Sequence, residues 1–196
     1  MITAAELALI PLFTGLDESA RQRLAQKAAD IRAEGGDWVI REGEDPRFFA
    51  VLEGLLLVVK DIVGQRRELE QLNAGEFFGE IPILLGTANL VSVQAVSRCR
   101  LARFDRQQLQ ELIRDFSSCG TTIFKTMTDR LSMAPQYVKD TPSSRVLLSR
   151  TRFCYFQGDQ SHLLVESHTR SRVVEGSCDF QKWMRMTRSC ENATVR

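Results

Sequence analysis

Between Trp38 and Phe104 the apolar residues never hold a helical period. They come in short runs, "WVI", "FFAVL", "LLLVV", "FFGEIPIL" and "VSVQAV", and turn-forming residues cut each one. The cuts fall at Glu42-Gly43-Glu44, Asp45-Pro46, Glu53-Gly54, Gly64-Gln65 and Asn73-Ala74-Gly75. Short strands at even spacing with turn residues between them predict an all-β sandwich or barrel. Gly64 lies between "LLLVVKDIV" and "QRRELEQL", where a hairpin needs a residue tolerant of positive φ. "VSVQAV" alternates and continues into "CRLARF", which completes the strands.

Helical patterns flank this block. In "TGLDESARQRLAQKAADIRAE", Asp17 is an N-cap candidate, and Ala20, Leu24, Ala25 and Ala28 recur at helical spacing. The spacing predicts one helix running up to Gly35-Gly36. After the block, "DRQQLQELIRDF" opens with Asp105 as N-cap and continues through "TTIFKTMTDRLSM", with a kink expected at Gly120. Ile123, Phe124, Met127 and Leu131 form one apolar stripe. That stripe serves either packing on the β domain or a coiled-coil dimer through the 106–134 helix. Pro135 and "TPSS" mark residues 136–148 as a linker.

Charge and length exclude several classes of function. Lysine plus arginine exceed aspartate plus glutamate by one, so no global field draws the chain to nucleic acid or to an anionic membrane. No recognition-helix pattern follows residue 140, and DNA binding by this chain alone is not expected. No apolar run approaches the roughly 18 residues a membrane span needs. "MITAAELALIPLF" lacks a basic n-region and carries Glu6, so the expected location is cytoplasmic. The five cysteines include no CxxC pair, which argues for free thiols.

Residues 149–196 show no sustained period of either kind and hold both histidines. Cys154, His162, His168 and Cys178 as a metal set match no ligand spacing, so no metal is expected. The segment then reads as an irregular tail, or as an out-of-frame translation. Codons for Gln157-Gly158-Asp159-Gln160, taken one base later, can spell Arg-Glu-Ile-Lys, an ordinary helical tetrad.

In order, "PLFTGL", "GGDWVIREGE", "FFAVLEGLLLVV", the Gly64 turn and "LNAGEFFGEIPIL" form a set that resembles the cyclic-nucleotide-binding domain of the catabolite-activator and kinase regulatory-subunit superfamily. The resemblance covers residues 8–135. It implies an eight-stranded jelly roll over about 36–104, with helices at each end, at the C-terminal side about 106–134. It also implies a ligand site in "FGEIPILLGTANLVSVQA". There Gly79 lets backbone approach a ligand and Glu80 accepts from a ribose 2′-OH. A short helix starting near Ile81 aims its N–H groups at the cyclic phosphate. An arginine follows in the family, and its position falls on Asn89, with Ser92 offering a hydroxyl. Pro82 further removes a backbone donor.

A charge-assisted hydrogen bond is worth about 1.5–3 kcal/mol, and a buried anion left unpaired costs roughly 3–5 kcal/mol. At about 1.4 kcal/mol per decade, a micromolar ligand weakens to near-millimolar. Signalling-grade binding of cAMP or cGMP is therefore not expected. The cassette without its arginine, with "VKDTPSSRVLL" downstream, looks like bacterial proteins in which such a domain precedes a thioredoxin-reductase-like flavoprotein. No GxGxxG and no CxxC follows, so the resemblance stops near Leu148.

The function expected is a non-catalytic regulatory module with a degenerate phosphate cassette, truncated from a redox flavoenzyme. No cofactor is expected beyond a weakly held or lost cyclic nucleotide. The alternatives are a working sensor of a cyclic nucleotide or small anion, and a dimerisation or interaction domain for a redox enzyme partner. No nucleophile–base pair supports catalysis.

Overall fold

The computed structural model describes residues 1–62 and 64–132 in full and, beyond them, the backbone of Met133 and of three strands. Two compact units divide at Ser144 and Arg145. The linker expected over 136–148 lies outside the described residues.

The first unit begins with helix α1 (Ala4–Ala8), capped by Thr3, whose hydroxyl and backbone exchange hydrogen bonds with Glu6. A 3-10 turn (Pro11–Phe13) and α2 (Glu18–Lys27) follow. Asp17 caps α2 as expected, its carboxylate accepting from the Ala20 N–H at 2.7 Å. The helix stops at Lys27, short of Gly35-Gly36. Ala28 turns extended, and Ala29–Ala33 form strand β1. Local helix propensity loses there to a long-range ladder, with Ala29 to Ala33 paired to Arg103 to Cys99.

Seven more strands complete the roll: β2 (Trp38–Ile40), β3 (Phe48–Glu53), β4 (Leu55–Ile62), β5 (Gln65–Asn73), β6 (Phe77–Phe78), β7 (Ser92–Ala95) and β8 (Cys99–Phe104). Helix α3 (Glu80–Leu85) lies between β6 and β7. The strands form two sheets, ordered β1-β8-β3-β6 and β2-β7-β4-β5. First therefore pairs with last and the central two with each other, which is a hairpin wound into a jelly roll. Ile62 pairs with Gln65 around Gly64, whose φ is +74°, so the tip is where turn chemistry placed it.

Between the sheets, Ile40, Phe49, Val51, Leu56, Val58, Leu72, Phe78, Val93 and Leu101 form the core. The outer face of the first sheet carries Phe48, Phe77 and Phe104, whose rings lie 5.6 and 5.9 Å apart in sequence around Phe48. Phe13 from the 3-10 turn closes on Phe104 at 6.2 Å. Each such buried ring stabilises by about 1.5–3 kcal/mol. Two helices follow the roll, α4 (Arg106–Asp115) and α5 (Ser117–Met133). Asp105 caps α4 through a capping box with Gln108. The break falls at Phe116, which turns extended, and not at Gly120. Gly120 lies inside α5, where an added Cβ would stand 3.3 Å from Ile113, so its smallness serves close helix packing. Ile123 and Met127 of the apolar stripe are buried within this unit.

In the second unit β9 (Arg152–Gln157), β10 (Gln160–Ser167) and β11 (Arg170–Glu175) form an antiparallel meander ordered β11-β10-β9. These strands fall within the segment read as an irregular tail. Leu163-Leu164 pairs in register with Val174-Val173, apolar pairs too short to register as a period in sequence. The metal set Cys154, His162, His168 and Cys178 has no described side chains.

Candidate functional site

The site is built where β6 gives way to α3. Phe78 pairs with Phe49 across the sheet, their rings stacked at 5.0 Å. The chain then reverses at Gly79, with φ at +86°. A Cβ there would lie 2.0 Å from the Arg47 carbonyl oxygen, so only glycine fits. The turn makes Gly79 the N-cap of α3 and drops Glu80, its first residue, into the interior.

Glu80 is 1% exposed. Its Oε1 accepts from Arg130 Nη1 at 2.9 Å, and Arg130 comes from α5. The same guanidinium reaches Glu70 on β5 at 3.1 Å and lies 5.6 Å over the Phe77 ring. Glu80 Oε2 is buried with no partner. Burial pushes the Glu80 carboxyl above its ordinary value, and the charge of Arg130 pulls against it. Two carboxylates thus share one guanidinium, and an unmatched acceptor faces inward.

Further along the loop the contacts are structural. Asn89 is buried, its N–H donating to the Glu44 carbonyl at 3.0 Å and its own carbonyl accepting from Gly43 N–H at 2.8 Å. Its side-chain Nδ2 donates to the Asp45 carbonyl at 3.3 Å. Ser92 Oγ accepts from the Glu42 N–H at 2.9 Å. Lys60, on β4, is buried; its ammonium donates to the Leu90 carbonyl at 2.8 Å and to the Glu42 carboxylate. Thr87 Oγ1 is buried without a partner. Pro82 is buried within α3, and its carbonyl accepts from the Thr87 N–H at 2.9 Å.

Residues 31–116 match the family model described as the cyclic nucleotide-binding domain. That segment belongs to the cyclic nucleotide-binding domain family. Among curated relatives, a Schizosaccharomyces pombe cAMP-dependent protein kinase regulatory subunit is 30% identical over 58% of this chain and 27% of its own length. The Caenorhabditis elegans cGMP-dependent protein kinase egl-4 is 32% identical over 70% of this chain and 17% of its own. The chain thus spans about a quarter or less of these two relatives. A solved regulatory subunit of a cAMP-independent protein kinase A from Trypanosoma brucei, a three-substitution variant bound to cAMP, aligns with a TM-score of 0.52 at 26% identity. It covers 74% of this chain and 49% of that one.

Within this cyclic nucleotide-binding domain, Gly79, Glu80 and Ile81 share the first turn of α3, while Asn89 and Ser92 sit with the loop through Glu42, Gly43 and Glu44. Sequence reasoning missed Arg130, Glu70, Glu42 and Lys60. Arg130 had a signal: it stands seven residues past Ile123 and three past Met127, a charge on an apolar stripe. Lys60 ends the run "LLLVVK" at a position the strand buries. Among the described residues no group of His, Cys, Asp or Glu could hold a metal ion, and no helix is long and apolar enough to cross a membrane.

Proposed function

We propose that this is a non-catalytic regulatory domain whose pocket reads the sugar of a nucleoside-type ligand and rejects its cyclic phosphate. The observation that carries this is Glu80, buried and holding an unpartnered oxygen beside the α3 turn. Such an acceptor suits a ribose hydroxyl, since an unmatched buried oxygen costs about 1–3 kcal/mol until a donor arrives. The charges point the same way. Glu70 and Glu80 outnumber Arg130, and Asn89 holds the position of the family's arginine with its amide engaged by Asp45. A neutral nucleoside suffers no repulsion there, whereas a cyclic phosphate does. The cAMP-independent kinase subunit from Trypanosoma brucei supports the idea that this fold serves regulation without cAMP dependence.

The test is calorimetry with adenosine and guanosine, each against its 2′-deoxy form. Saturable binding of a ribonucleoside, lost in the deoxy form and in Glu80→Gln, supports the reading. Equal binding of both forms removes Glu80 from it.

Lys60 favours a second reading, a sensor of cyclic nucleotides or small anions. Its ammonium touches the loop one residue beyond Asn89 and would replace the absent arginine by releasing Glu42. Lys60→Met then abolishes cyclic nucleotide binding and spares nucleosides. No cyclic nucleotide binding in the unsubstituted protein refutes this reading.

The finer expectation, that residues through about Leu148 are the sensor half of a thioredoxin-reductase-like fusion acting on a redox partner, rests on the arginine-free cassette and on "VKDTPSSRVLL". Genomic DNA past codon 148 tests it: a flavoprotein reading frame supports the fusion, and its absence refutes it. Homodimerisation through the 106–134 helices is tested by sedimentation, where a monomer at all concentrations refutes it.

A further inference from the structure

The roll has an open side. Strands β1 and β2 are edge strands of the two sheets, and a cavity of about 400 Å³ lies beside them, lined by Arg32, Arg41, Arg103, Trp38, Asp37 and Phe49 among others. That volume is of the size small-molecule sites occupy. All three arginines are exposed, and among the described residues none has a carboxylate partner. Arg21, Arg98, Arg100, Arg114 and Arg130 each pair with an acid, whereas these three leave their charge unmatched around one cavity. Arg32 and Arg103 stand on β1 and β8 of one sheet, and Arg41 directly follows β2 of the other. Arg103 stands in register with Phe49, which forms part of the cavity wall.

Trp38 gives the slot order. The Arg41 guanidinium lies 5.2 Å from the centre of its ring, and Arg66 lies 5.3 Å from it. Arg66 is itself fixed by a hydrogen bond to Gln94 Oε1 at 2.6 Å. Cation–π contact thus holds a guanidinium in place at modest entropic cost. Asp37 is the one acidic lining residue, and its carboxylate is engaged in the turn, accepting from the Glu34 N–H at 2.8 Å. Three guanidiniums therefore face one carboxylate in a chain whose net charge is only +1. Around Glu80 the local sign is opposite, with two carboxylates on one guanidinium.

We propose that this slot is an anion-binding site for a small molecule carrying at least two linked phosphate groups. The guanidinium fork matches phosphate oxygens, and cations on both sheets call for a ligand with anionic groups at both ends. The inference stands independently of the reading of Glu80.

Isothermal titration of the full chain with inorganic pyrophosphate tests it. The expected result is saturable 1:1 binding that weakens as salt rises. Arg41→Gln and Arg103→Gln each lower affinity by about tenfold or more, the worth of one charge-assisted contact. Arg23→Gln, on the exposed face of α2, leaves it unchanged. Absence of saturable binding overturns the proposal, as does an Arg41→Gln or Arg103→Gln affinity equal to that of Arg23→Gln. Circular dichroism of each variant separates lost binding from lost fold. The double variant Arg41→Lys/Arg103→Lys, which keeps charge and loses the fork, is expected to bind more weakly than the unsubstituted protein and more tightly than the glutamine variants.

Discussion

Removing Arg130 strands a charge. In Arg130→Met the 1%-exposed Glu80 loses the cation that holds its Oε1 at 2.9 Å, and Oε2 already has no partner. An uncompensated buried charge costs about 3–5 kcal/mol. Glu70, about one-third exposed, turns to water and adds little. A domain of this size has on the order of 5–15 kcal/mol in all, so the variant stands near the edge of folding. With a urea dependence of about 2 kcal/mol per molar, the midpoint falls by roughly 1.5–2.5 M. The deficit depends on pH. Burial raises the Glu80 carboxyl in the folded state, and loss of Arg130 raises it further. A carboxyl raised on folding is harmless below its unfolded value near 4.3 and destabilises increasingly as pH climbs through the folded value. The deficit at pH 7 therefore shrinks toward pH 5. Adding Glu80→Gln, which removes the stranded charge, restores most of the loss at pH 7. Urea titrations of the single and double variants at both pH values decide the matter. A single-variant cost below about 1 kcal/mol with no pH dependence would refute the claim that Glu80 is a buried ion held by α5.

Three further outcomes follow from other parts of the structure. Gly79→Ala places a Cβ 2.0 Å from the Arg47 carbonyl at φ +86°; the left-handed conformation alone costs about 1–2 kcal/mol, and with the clash the loss exceeds about 3 kcal/mol in urea titration. Arg100→Met removes the cation shared by Asp30, at 2.9 Å, and Glu6, and costs about 1.5–3 kcal/mol by thermal unfolding. Hydrogen bonding from Arg100 holds the Asp30 carboxyl far below its usual range, so this contribution is complete above about pH 4 and drains away as acid titrates the pair. Asn89→Arg keeps the backbone bonds to Gly43 and Glu44 and supplies a cation; calorimetry is expected to show cAMP affinity raised by about tenfold or more.

Local chemistry made much of this chain readable. Turn residues cut the block from Trp38 to Phe104 into strands, and the hairpin tip at Gly64 and the caps at Asp17 and Asp105 follow from one or two residues acting on their own backbone. What stayed hidden depends on partners distant in sequence. Ala29–Ala33 has helical spacing and becomes a strand because β8 pairs with it seventy residues later. The helix break at Phe116 has no glycine or proline to announce it. At the candidate site, Gly79-Glu80 stands out as a motif, but Arg130 reaches Glu80 across fifty residues and Lys60 reaches Leu90 across thirty. Neither pairing leaves a local mark.

Whether the surroundings of Glu80 favour a neutral nucleoside over its cyclic phosphate is decided by titrating the unsubstituted protein with adenosine, guanosine and their 3′,5′-cyclic monophosphates in one calorimetric series. At least one nucleoside is expected to bind at least about tenfold more tightly than its cyclic monophosphate, the cost of one missing charge-assisted contact. Micromolar binding of cAMP or cGMP, tighter than that of the parent nucleoside, would contradict it.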